Sequence, residues 1–205
     1  MNTSGDSGPR RAPLQMTVTE TAEPETCTYE VDAADHIVAV DARWSQFAVA
    51  NDAPELASPS GHLGLSVLDC IADATTAMLY ERLFRRVRET RSPVSLPFRC
   101  DSPTRRRFLN MNIERRFEGG LRLETTVTRI EVRPPMALLG RRRDSNGLPL
   151  RVCGWCSFVD VEGRWCEVED AVRILRLFDH DLLPPVTHVM CPPCHERLMR
   201  KFGLS

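Results

Sequence analysis

The chain has 205 residues, a mass of 23.2 kDa, a formal net charge of -1 and a pI near 6.5. That length suits one sizeable domain or an ordinary domain plus a small one, and 42% apolar residues are enough for a real core. The charge balance gives no global attraction to nucleic acid, and no stretch reaches the roughly 18 uninterrupted apolar residues that a membrane span needs.

Residues 1–26 are rich in Ser, Thr, Gly, Pro and Glu and are expected to be a disordered tail. From Cys27 the pattern changes. Cys27–Val31 and His36–Val40 are short β-favouring runs on either side of the polar turn 32–35, which reads as a hairpin. Residues 42–51 fit a helix, with Trp44, Phe47 and Ala48 on one face. Residues 52–64 read as loop. A longer helix is expected from about Asp73, its N-cap, to Thr90, with Leu79, Leu83 and Val87 as the inward stripe, widened by Tyr80 and Phe84. Three strands should follow. They are Val94–Cys100, then Arg107–Phe117, with Leu109, Met111 and Ile113 on one face, and Leu121–Val132 after a turn at Glu118-Gly119-Gly120. Antiparallel strands with helices on one face define an α+β domain.

That order of elements, together with the run Val38-x-Val40-Asp41-x-x-Trp44-x-x-Phe47-Ala48, resembles the PAS sensor domain over residues 27–132. The resemblance implies a five-stranded antiparallel sheet, a sensory role, dimerisation through this part, and a pocket lined by Phe47, Leu109, Met111 and Leu123. No haem or flavin is expected. The chain has no flavin-type Gly-x-Asn-Cys-Arg-Phe motif, and the helix 73–90, where a haem-binding PAS domain often places its ligand, contains no histidine.

Residues 133–150 hold Pro134-Pro135, Arg141-Arg142-Arg143 and Asn146-Gly147 and read as a linker. The remainder, 151–205, carries the most specific signal. Cys153-Gly-Trp-Cys156 and Cys191-Pro-Pro-Cys194 are two pairs in which both sulfurs can turn toward one point, and two such turns close a four-thiolate zinc site. The eight cysteines do not suggest disulfides, because a cytoplasmic chain keeps its thiols reduced. The 34 residues between Cys156 and Cys191 exceed the roughly 15–20 of a simple finger. They should therefore fold, with a hairpin at 157–165 turning at Glu162-Gly163 and a helix at 167–178; a further helix is expected at 195–202. So small a unit needs a staple, which zinc supplies. His188 and Cys166 are the alternative ligands. With four cysteines filling zinc, His188 is expected beside the site and Cys166 as a buried small hydrophobe, as are Cys27, Cys70 and Cys100.

Residues 151–202, with Gly163-Arg164-Trp165 and His188-Val189-Met190-Cys191-Pro192-Pro193-Cys194, are similar to a zinc-ribbon-like module at the ends of bacterial PAS-containing histidine kinases and response regulators. The resemblance implies a bacterial regulatory protein that passes a signal to a protein partner. Phosphate-loop, nucleophile-elbow and zinc-protease motifs are absent from the sequence, so no enzyme activity is expected. Two alternatives remain open at this point: a nucleic-acid-binding regulator using the ribbon and Arg141–Arg143, and a thiol–zinc redox switch.

Overall fold

Alternating apolar and polar residues build the first sheet, as described by a computed structural model that covers residues 26–46, 57–58, 61–140, 148–177 and 183–204. Of the helix expected over 42–51, residues 44–46 are helical; the expectations for residues 1–25, for 47–51 including Phe47, and for Arg141–Arg143 lie outside these residues. Strands β1 (Thr26–Val31) and β2 (Ile37–Val40) form the expected antiparallel hairpin. Asp32 organises its turn, with Oδ1 accepting from the backbone N–H groups of Ala34 and His36 at 2.9 Å each.

Helix α1 (Ala74–Thr90) starts at Asp73, whose carboxylate caps Thr76 N–H at 2.9 Å. It buries Leu79, Leu83, Phe84 and Val87, and ends where Arg91 turns left-handed ahead of Pro93. Strands β3 (Val94–Arg99), β4 (Arg105–Arg115) and β5 (Leu121–Val132) form an antiparallel meander. The tight β4–β5 turn needs glycine at Gly120, where a Cβ would meet the Val31 carbonyl oxygen at 2.9 Å. Because β5 also pairs with β1, the sheet order is β2-β1-β5-β4-β3. The result is an α+β unit with a five-stranded antiparallel sheet.

A second sheet has the order β8-β7-β6-β9. Its strands are β6 (Leu150–Cys153), β7 (Val159–Val161), β8 (Arg164–Cys166) and β9 (Val186–Val189). The β7–β8 turn falls at Glu162-Gly163 as expected, both residues lying at positive φ. Helix α2 is shorter than the 167–178 reading, running from Val168 to Ile174, because Arg176 enters the left-handed region at φ 52°. Helix α3 (Pro192–Phe202) begins earlier than expected, since Pro192 suits a first helical position. The parallel β6–β9 pair has no counterpart in the sequence reading.

Within the stretch 133–150, Met136 and Leu138 are buried in a core with β6, β7 and α2. Pro134-Pro135 and the neighbouring charges masked these two apolar anchors, Met136 capping and Leu138 lying within one turn of 3-10 helix (Ala137–Leu139).

The other core unites the first sheet with the cysteine region. Leu79, Leu83 and Phe84 of α1 and Leu96, Ile113, Leu121 and Leu123 of the sheet lie in one cluster with Cys153, Trp155, Cys191, Cys194, Leu198 and Phe202. Arg99 N–H donates to the Trp155 carbonyl at 2.9 Å, and Trp155 Nε1 donates to the Pro97 carbonyl at 2.9 Å. A buried ion network adds a second bond. Arg99 binds Asp101 and forks onto Glu167 at 2.8 and 3.1 Å. Arg133 bridges Asp101 at 3.2 Å and Glu169 at 3.3 Å, and Arg106 holds Glu169 at 2.7 Å. Charges this deep are tolerable only when paired.

Candidate metal centre

Two different local structures deliver the four sulfurs. Cys153 ends β6, and the chain turns back at once. Ser157 N–H returns to the Cys153 carbonyl at 2.9 Å with Ser157 at φ 61°. This swings Cys156 to the same side as Cys153. Cys191 is the N-cap residue of α3 and Cys194 sits in its first turn, one helical step along the same face. The parallel pairing of Cys153 with Val189 lays the two knuckles side by side.

The four Sγ atoms lie within 4.8 Å of one another, and Cys156 Sγ is 3.8 Å from Cys191 Sγ. Tetrahedral thiolates at a zinc–sulfur distance of about 2.3 Å stand about 3.8 Å apart. The donor set and its spacing therefore fit one metal ion. Cys153, Cys191 and Cys194 are buried and Cys156 is half-buried.

The surroundings favour negative sulfur. Cys153 Sγ accepts the backbone N–H groups of Trp155 and Cys191, each at 3.4 Å. The Arg197 guanidinium lies 3.3 Å from Cys194 Sγ. The N-terminus of α3 points its partial positive charge at the same sulfurs. With protons in place of a metal, the four groups share charge unequally. Hydrogen bonds from Cys156 and Cys194 hold the Cys153 thiol far below its usual range. Donating to Cys153 pushes Cys156 up to about 12. Donation to Cys153 and Cys156 raises Cys194, and burial raises Cys191. A dication that displaces the protons removes this competition, which is why metal binding at thiols is coupled to proton release.

Among the described residues, the metal-capable group contains these four cysteines and neither alternative ligand. His188 is exposed on β9, opposite Val152. Cys166 closes β8 and packs against the second core. Cys70, expected inside, is exposed. Of the residues expected to line a pocket, Leu109, Met111 and Leu123 are buried at 2%, 8% and 0% exposure.

Three supporting groups were not evident as such in the sequence. Asp73, beyond capping α1, accepts Met190 N–H at 3.2 Å and so ties the second knuckle to the first helix. Trp155 reaches β3 through Pro97. Arg197 is three residues after Cys194 on a helix, a spacing that could have flagged it. No helix among the described residues is long and apolar enough to cross a membrane. No protein-family model matches the chain, and no curated protein matches it either.

Proposed function

We propose that Cys153, Cys156, Cys191 and Cys194 hold one structural zinc ion and that the chain is a regulatory protein acting by binding rather than by catalysis. The observation that carries the metal reading is the closed set of four sulfurs, built from two knuckles and largely withdrawn from water. Thiolates are a donor set that zinc favours, and four of them leave no coordination position for water or substrate. Bound there, zinc would supply a cross-link between β6 and α3.

The regulatory reading rests on the likeness of the first 27–132 segment to PAS domains. It is supported by the element order of two strands, a long helix and three strands closing one sheet. On this reading the sheet unit receives a signal and the metal module presents a surface to a partner protein in the cytoplasm of a bacterium. The shared core is the physical route between them, because α1 touches both the sheet and the helix that carries Cys194.

Native mass spectrometry of the full chain, before and after incubation with a strong chelator, tests the metal proposal. One zinc per chain, lost when any one of the four cysteines is changed to serine, is the expected result. A folded chain that carries no metal when purified with zinc present overturns it. The same spectrum reports any small molecule carried by the sheet unit and the number of chains per particle.

A further inference from the structure

The far end of α3 forms one wall of a second feature. Gly203 and Leu204, which follow α3, line a groove with Arg82, Arg85, Arg86, Glu89 and Thr90 of α1, enclosing about 250 Å³. Arg85 and Arg86 are exposed and Arg82 is half-buried. Among the described residues, none of the three guanidinium groups forms an ion pair. The next arginine along α1, Arg88, behaves differently, being spent on Asp35 at 2.6 Å and on the Gly119 carbonyl at 2.8 Å. Glu89 is the only carboxylate in the lining.

We propose that this groove docks the phosphate backbone of a nucleic acid, and that the four-cysteine site builds it by fixing α3. Arg82 and Arg86 stand four residues, about 6 Å, apart along the helix with Arg85 between them, so three guanidinium groups crowd about one turn of α1. Guanidinium pairs with phosphate through two parallel hydrogen bonds. A protein partner is less well matched, because protein interfaces are anchored by buried apolar and aromatic side chains. None of the exposed large apolar residues lines this groove; Met78, the nearest on α1, lies a turn before Arg82. The near-neutral charge of the chain does not oppose the assignment, since the attraction comes from a local concentration of arginines that form no ion pair among the described residues.

The link to the metal is mechanical. α3 has only 11 residues, starting at the Cys191 cap and ending at the groove. Helices this short are marginal alone. Its first turn is fixed by two of the sulfurs and its inner face by Cys194, Leu198 and Phe202. The terminal segment is then positioned for Arg82 Nη1 to reach the Leu204 carbonyl at 3.4 Å. This part of the proposal rests on the metal reading; the arginine part does not.

Fluorescence anisotropy with the full, zinc-loaded chain and a labelled DNA duplex of about 20 base pairs tests both, with RNA of the same sequence as a second probe. The proposal expects salt-dependent binding to at least one probe. It expects the double variant Arg85→Glu/Arg86→Glu to weaken that binding by about tenfold or more at low salt and to flatten the salt slope by about 2. Metal content and melting temperature of this variant should match the parent. Arg164→Glu, on β8, should bind as the parent does. Chelation should reduce binding while leaving the arginines intact. Absence of binding to both probes at low salt overturns the proposal, as does equal weakening by Arg164→Glu. Equally tight binding of polyglutamate would assign the groove to an acidic protein instead and also overturn it. If chelation leaves nucleic-acid binding unchanged while zinc is lost, the coupling to α3 is wrong. If no zinc is ever bound, the metal reading itself has failed.

Discussion

Asp73 shows how much one side chain can hold. Its carboxylate caps α1 through Thr76 N–H at 2.9 Å and Thr76 Oγ1 at 2.6 Å, and it receives Met190 N–H beside the second cysteine pair. Asp73→Ala should therefore cost more than a simple cap. The cap alone is worth about 0.5–2 kcal/mol. Losing the Met190 partner leaves a backbone donor unpaired at the edge of the metal centre. The expected outcome is a lower denaturant midpoint together with weaker zinc retention in a chelator competition, and Asp73→Asn should recover part of both. A shift in stability with unchanged zinc retention would mean that Met190 N–H is indifferent to the cap. Arg133 is the second such residue. Its side chain is 4% exposed and Asp101 beneath it 1%. Arg133→Ala leaves Asp101 to Arg99 alone and breaks the bridge to Glu169, and should cost about 1–3 kcal/mol in urea unfolding.

At the scale of elements, the three helices and two sheets are joined through short, polar ties as much as through apolar packing. Glu169 belongs to the ion network that connects α2 to β4 and the end of β5. Burial opposes its ionisation, but its own backbone N–H, the Arg106 fork and the nearby Arg133 win, and its carboxyl is held below the usual range. A carboxyl whose folded value is depressed contributes stability that is fully present above the ordinary glutamate range and is lost as pH falls through the folded value. Acid should thus loosen α2 from the first sheet, and Glu169→Gln should flatten the pH dependence of the melting temperature below about pH 4.5. The β7–β8 turn offers a cleaner local test. Gly163 sits at φ 86° with open space around a would-be Cβ, so Gly163→Ala should cost about 1 kcal/mol from backbone strain alone. Elements with a strong period were legible from sequence. Leu79, Leu83 and Val87 marked α1, and Leu109, Met111 and Ile113 marked β4, because local alternation and final burial agree there. What was not legible depended on partners distant in sequence. β6 and β9 are four residues each, and β9 becomes a strand by pairing with β6 across the chain. Met136 and Leu138 looked like linker because their core is formed by residues 152–183. The same argument explains the site. Spacing within each Cys-x-x-Cys pair is local and could be read, whereas the exclusion of His188 and Cys166 follows from the register of β9 and β8.

For the whole molecule, the decisive fact is that the cysteines share a core with the first sheet. The sequence divides naturally near residue 150, yet Leu198 and Phe202 pack with Leu79, Leu83 and Leu96. Metal and sheet should then unfold together. Chelation is expected to lower the melting temperature of the full chain in a single transition, and Leu198→Ala, at a site 1% exposed, should cost about 2–5 kcal/mol while also weakening metal retention. Two well-separated transitions, with the sheet indifferent to chelator, would contradict a common core. The most direct test of the account is X-ray absorption at the zinc edge on the full chain purified with zinc. Four sulfur neighbours at about 2.3 Å in the parent, with the zinc signal lost in Cys156→Ser or Cys191→Ser, are the predicted result. Nitrogen or oxygen neighbours in the parent protein, or no zinc signal from its folded chain, would contradict it.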